Sequence, residues 1–158
     1  MKARVILATD GSTGSRQIIS YCLDTFDTDH TSFLVTHVIQ FSPANQSAYE
    51  LSDPGLDNYR EQVREQAEAV VEEIQRPLEE QGFATESEIL VGRAGVELVE
   101  LAKEREVSGI LMGRKGHSQI AEMLVGSTSN YVVHHAICPV TLVPIDYYDE
   151  KHKYSPSS

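Results

Sequence analysis

A chain of 158 residues and 17.5 kDa is able to bury about 70% of the surface it exposes when unfolded, which suits one core and argues against two. With 41% hydrophobic and 23% charged residues, and no apolar run near the ~18 residues that a membrane span takes, the composition excludes a membrane-spanning helix and fits one soluble globule. Acidic residues outnumber basic ones by 24 to 13, for a net charge of -11; the long-range repulsion of polyanions weighs against nucleic-acid binding.

The chain opens almost at once on a strand-like run, Val5-Ile6-Leu7-Ala8. It lacks the basic, apolar and small-residue sections of a secretory signal, so a cytoplasmic protein is expected. Residues 4–9 form the first expected strand, and a helix is expected over 15–25. The second strand, 32–39, is nearly continuous in apolar residues, as buried parallel strands are. Residues 41–57, FSPANQSAYELSDPGLD, show no apolar period and read as one long irregular connection. Beyond them Tyr59, Val63, Ala67, Val70, Ile74 and Leu78 recur at steps of three and four, which predicts a long helix with one apolar stripe against the sheet. Pro77 removes a backbone donor and crowds the Glu73 carbonyl, predicting a kink before Gly82 ends the helix.

The third strand, 86–91, alternates, with Ser87, Ile89 and Val91 on one side and Glu86 and Glu88 on the other, the pattern of an edge strand. A helix over 96–105, a fourth strand over 109–113, a helix over 127–136 and a fifth strand over 139–143, opening on Pro139, complete the series. The β-α-β-α order implies a parallel sheet. The expected fold class is therefore α/β, an open five-stranded parallel sheet with helices on both faces. It forms one domain, residues 1–146, followed by a polar C-terminal tail, 147–158, that is expected to fray. Cys22 and Cys138 form no CxxC pair and read as small core residues.

Open parallel sheets bind ligands beyond the carboxyl ends of their strands, where the strand order reverses. Thr9-Asp10-Gly11-Ser12 leaves the first expected strand. Gly113-Arg114-Lys115-Gly116 leaves the fourth, and the chain continues to Gly126-Ser127-Thr128-Ser129. Gly113 and Gly116 let the main chain come close to a ligand, while Gly126 and Ser127 open a helix whose unpaired amides and positive dipole end favour anions. Ser127 and Ser129 add hydroxyl donors, and Arg114 and Lys115 add positive charge. These are the parts of a phosphate cradle, provided that the nine residues between Gly116 and Gly126 fold back, since extended they would span about 30 Å. Ile120, Met123 and Leu124 would anchor that segment as a helical turn. The plain alternative is that three glycines punctuate a turn and Ser127 caps a helix. Neither a GxGxxG fingerprint nor a GxxxxGK[ST] loop occurs, which sets aside two common nucleotide folds.

At this segment the chain resembles the universal stress protein family, and within it the nucleotide-binding branch, whose signature is G-x2-G-x9-G followed by Ser or Thr. Gly113, Gly116, Gly126 and Ser127 match it without a gap. The resemblance runs over residues 3–144, with a first strand ending in Asp10-Gly11-Ser12, a second ending in His37-Val38 and a terminal Cys138-Pro139-Val140. It implies a Rossmann-like sheet of the adenine nucleotide alpha hydrolase type, in strand order 3-2-1-4-5. It also implies ATP as ligand, with Mg²⁺ held through the phosphates. By that resemblance Asp10 and Val38 lie near the adenosine, Met112, Ser127 and Ser129 line the site, and the full cofactor-binding set is Thr9, Asp10, Val38, Met112, Gly113, Arg114, Gly116, Gly126, Ser127, Thr128 and Ser129. Family members commonly dimerise, and here the apolar edge from Pro139 to Val143 would pair two copies; the regulatory partner is unknown. One departure is Val91-Gly92-Arg93-Ala94-Gly95, where many relatives carry a proline.

Other residues keep several readings. Asp10 serves as a ribose acceptor, as a metal ligand through water, or as a turn residue bonding its own backbone. Arg114 and Lys115 either contact phosphate or face solvent. His134 and His135 point about 100° apart on a helix and cannot share a metal, so no dedicated metal site is expected. No GxSxG elbow marks a nucleophile, which makes a hydrolase the weaker reading. Three functions follow: an ATP-binding regulatory or stress-response module with no visible catalytic base; a slow ATPase or nucleotide-transfer enzyme, which needs an acceptor in line with the γ-phosphate; and a nucleotide-free dimeric interaction module.

Overall fold

Alternation along the first strand divides the apolar side chains between two faces. β1 (Ala3–Ala8) sends Val5 and Leu7 to one face and Ile6 and Ala8 to the other, and all four are buried. The run is continuous because a parallel sheet covered on both sides offers a core to every position. The computed structural model describes residues 1–12, 14–51, 53–114, 126–144 and Tyr147. It continues the sheet through β2 (Thr31–Ile39), β3 (Ala84–Val91), β4 (Gly109–Gly113) and β5 (Val140–Val143). All pairs are parallel and the order is β3-β2-β1-β4-β5, so the expected fold class and strand order are those observed.

The helices are α1 (Ser15–Thr25), α2 (Pro43–Glu50), α3 (Asp57–Glu80), α4 (Ala94–Glu104) and α5 (Ser127–His135). α1 and α3 cover the face of Val5, Leu7 and Phe33, while α4 and α5 cover that of Ile6, Leu34 and Ile110. α3 runs unbroken through Pro77 to Glu80 and stops where Gly82 N donates to Glu79 O and Phe83 N to Leu78 O.

Three expectations need correction, two before the third strand and one in the tail. Residues 41–57 are not irregular throughout, since they contain α2 and a 3₁₀ turn, Pro54–Leu56. Ser42 caps α2 by accepting from Asn45 N at 3.4 Å, and Pro43 occupies its first turn, where a missing N–H costs nothing. On α3 the fully buried stripe is Ala67, Val71, Ile74 and Leu78. Val70 is only half-buried, and its place in the stripe passes to Val71.

β3 is an edge strand, as its alternation implies. Its charged face is neutralised locally: Arg4 pairs with Glu86 at 3.1 Å and Arg105 with Glu88 at 2.7 Å. The opposite edge is β5, which follows Pro139; the Pro139 carbonyl accepts from Ile110 N at 2.9 Å. Tyr147, assigned by sequence to the fraying tail, instead packs edge-on against Tyr21 with ring centres 5.4 Å apart and donates to Asp24 at 3.3 Å. The rest of the tail lies outside the described residues.

Cys22 is fully buried in the α1 and α3 core, and burial pushes its thiol up to about 12. Cys138 is half-buried against the other core, and burial raises its thiol as well. A protonated, enclosed thiol is inert. An aromatic disulfide reagent at pH 8 is therefore expected to leave Cys22 unmodified in the native chain and to titrate both thiols after denaturation; rapid native modification of Cys22 would contradict this packing. Unfolded, the thiol ionises at its ordinary 9.0. The contribution of Cys22 to stability is thus whole below that pH and is lost as pH climbs toward 12.

Candidate functional site

β1 lies between β2 and β4, and the chain crosses from one side of it to the other after β3, so the strand order reverses between β1 and β4. Helices depart on opposite faces there and leave a crevice at the carboxyl ends. Thr9 follows β1 and is held by the neighbouring strand: its N–H donates to Thr36 O at 2.9 Å, and its carbonyl accepts from His37 Nδ1 at 2.8 Å. The turn then closes on itself. Gly11 N donates to Thr9 Oγ1 at 3.3 Å and Ser12 N to Asp10 Oδ1 at 2.9 Å. Asp10 thus makes the turn bond that its sequence context suggested, and the residue is exposed. Gly11 adopts φ 75°, and a Cβ there would stand 3.0 Å from Val70 Cγ2. The residue that left the α3 stripe closes over this turn.

At the end of β4, Gly113, Arg114 and Gly126 come together. Gly126 N donates to Arg114 O at 3.0 Å, Ser129 Oγ donates to Gly113 O at 2.9 Å, and Arg114 N donates to Val143 O at 3.0 Å. The two ends of the glycine signature therefore touch, which is what a shared ligand requires. α5 begins directly after Gly126, and among the described residues no side chain caps it. Its first amides thus keep the anion-favouring character of a bare helix start. Ser127 is exposed, Thr128 half-buried and Ser129 2% exposed. With its proton given to Gly113 O, Ser129 ties the first turn of α5 to the end of β4. Close approach of α4 seats the helix: a Cβ on Gly95 would meet Tyr131 Cδ1 at 2.8 Å.

The remaining expected residues divide simply. Val38, at the end of β2, and Met112, on β4, are buried beneath the crevice at 8% and 6% exposure. Arg114 is half-buried. Gly116, with Lys115, Ile120, Met123 and Leu124, lies outside the described residues. His134 and His135 sit at the far end of α5, where their Nδ1 atoms donate to Asn130 O at 2.7 Å and Tyr131 O at 2.8 Å. Among the described residues no group of three or more His, Cys, Asp or Glu side chains is placed to hold a metal ion. Sequence reasoning missed His37 as a part of this edge. Nothing in a lone strand-end histidine signals a bond made across to β1.

These features define an open α/β protein whose β1–β4 switch point is framed by glycines and a bare helix start. The chain belongs to the universal stress protein family, whose family model matches residues 1–144. Universal stress protein Sll1388 of Synechocystis sp. is 24% identical over 152 residues, covering 89% of this chain and 96% of that one. The solved structure of hypothetical protein MJ0577, a universal stress protein of Methanocaldococcus jannaschii, superposes with a TM-score of 0.77 at 25% identity, over 91% of this chain and 96% of that chain. A universal stress protein family protein of Arabidopsis thaliana, solved with AMP bound, shares the fold with a TM-score of 0.65 at 18% identity, over 90% and 91% of the two chains.

Ser129→Ala removes the donor to Gly113 O and leaves a carbonyl short of a partner, which costs about 1 kcal/mol. Urea denaturation is expected to show that loss with an unchanged slope. No loss would mean that the tie contributes nothing to holding α5.

Proposed function

We propose that this chain is a cytoplasmic regulatory protein of the universal stress protein family that binds ATP, with Mg²⁺ carried on the phosphates, and uses the nucleotide as a signal. The observation that carries this reading is the contact of Gly126 N with Arg114 O, which brings the last glycine of the signature against the residue that follows its first, at the carboxyl end of β4. In this reading Asp10 and Val38 face the adenosine, with Thr9 and Met112 beneath it. Gly113, Arg114, Gly116, Gly126, Ser127 and Thr128 surround the phosphates, and Ser129 holds the loop to the helix. The AMP bound to the Arabidopsis relative supports a nucleotide as the ligand class. Residues 1–146 act as the binding domain, with 147–158 as its tail.

Denaturing the purified chain and analysing the supernatant is expected to release adenine nucleotide. Calorimetry on stripped protein is expected to register ATP binding that Gly126→Val abolishes while the melt stays cooperative, because a β-branched side chain fills space the phosphates need. Stripped wild-type protein giving no heat with ATP would overturn the reading, and turnover well above the Gly126→Val background would move it toward an ATPase.

The reading includes a homodimer paired through the β5 edge, residues 139–143. Two exposed apolar side chains, Val133 at 49% and Ile137 at 72%, stand on the segment leading into that edge and support it. Sedimentation at micromolar concentration is expected to show a dimer that Ile137→Glu weakens; a wild-type monomer would refute the pairing.

A further inference from the structure

β1 ends at Ala8, and Thr9 and Asp10 leave the sheet directly after it. Each polar atom of Thr9 has a partner: its N–H donates to Thr36 O at 2.9 Å, its carbonyl accepts from His37 Nδ1 at 2.8 Å, and its Oγ1 accepts from Gly11 N at 3.3 Å. The first bond continues the parallel ladder of β1 and β2. The second comes from a side chain 28 residues away. Because a carbonyl only accepts, His37 Nδ1 carries the proton of this bond. Thr9 O belongs to the planar peptide group that joins Thr9 to Asp10, so a bond to it limits rotation of that plane and sets the direction in which Asp10 leaves.

His37 is itself held from below. It alternates on β2 with Phe33 and Val35, both buried in the α1 and α3 core, and its register partner on β3 is Ile89, which packs on the same core. Residues two apart on a strand share a face, so His37 stands half-buried at the carboxyl end of a packed layer. The turn beyond Thr9 has no such support of its own. Gly11 adopts φ 75°, and the bonds of Gly11 N to Thr9 Oγ1 and of Ser12 N to Asp10 Oδ1 lie within the turn and move with it. Those from Thr36 and His37 fasten it to the sheet. A loop ordered before the ligand arrives loses no affinity to its own ordering. Resting on the ATP reading above, we infer that His37 is a positioning residue for the nucleotide, acting through the Thr9–Asp10 peptide to hold Asp10 ready for the adenosine.

The test is calorimetry of nucleotide-stripped protein with Mg²⁺-ATP, using side chains that move a donor from one ring position to the other. Asn carries its amide nitrogen as many bonds from Cβ as His carries Nδ1, whereas Gln carries it as far out as Nε2. His37→Gln and His37→Leu are each expected to weaken ATP binding by about fivefold, the size of one hydrogen bond, and His37→Asn to return to within about twofold of wild type. In an Asp10→Ala background the His37→Gln loss is expected to vanish, because the residue it positions is gone. A role in packing alone would weaken all three His37 variants alike and would persist without Asp10, and either result overturns the inference. If Asp10→Ala binds no ATP, or His37→Leu melts without cooperativity, the contrast between His37→Asn and His37→Gln decides, and equal affinities overturn the inference. Wild-type protein that binds ATP no better than His37→Gln overturns this inference alone, whereas wild-type protein that binds none overturns the ATP reading itself.

Discussion

The start of α5 is tied to the end of β4 by two hydrogen bonds, Gly126 N to Arg114 O and Ser129 Oγ to Gly113 O, and the geometry of the crevice depends on them. Each is worth only about 1 kcal/mol, so they hold because the sheet and helices are already positioned. Val132 is fully buried in the α4 and α5 core, and Gly95 lets α4 lie close to Tyr131. Packing sets the helix axis, and the two bonds set where its first amides stand. The Arg114 N bond to Val143 O extends the tie to β5, so three chain segments converge on one residue. On the other flank, His37 and Thr36 brace Thr9 from β2. The crevice is walled by backbone held in place on both sides, which is the preorganisation a binding loop needs.

Much of this was legible in the sequence because parallel strands buried on both faces leave a strong mark. Val5 to Ala8 has no polar interruption since α1 and α3 cover one face and α4 and α5 the other. Edge position was legible in β3, where charge alternates with apolar residues. α2 was not, because Pro43-Ala44-Asn45-Gln46-Ser47-Ala48-Tyr49-Glu50 buries no periodic stripe. Its signal was local, in the Ser42-Pro43 start, and an apolar-period reading passes over it. Val70 and Val71 show a related limit: adjacent valines on a helix differ by about 100°, and periodicity alone does not decide which faces the core when one of them has a turn to cover.

The candidate site divides along the same line. Glycine spacing marked the segment, and the contact between its ends, Gly126 N to Arg114 O, exists only once the fold brings them together. Bonds across strands were invisible. His37 reaches Thr9 over a separation of 28 residues, and Ser129 reaches Gly113 over 16. Asp10 was ambiguous for a different reason, since the residue that accepts from Ser12 N in the turn is also exposed just beyond the carboxyl end of β1. A short acidic side chain after a strand suits a turn bond and a ligand contact alike, and residue type and position are the same for the two.

The two margins of the sheet are unlike. One is lined by Glu86 and Glu88, each engaged by an arginine from elsewhere in the chain, and charge along a strand discourages a visiting strand from docking. The other margin, at β5, has apolar neighbours. A sheet with charge along one flank has its less guarded margin at β5, so growth from both flanks at once, which open-ended stacking of sheets needs, is discouraged at β3.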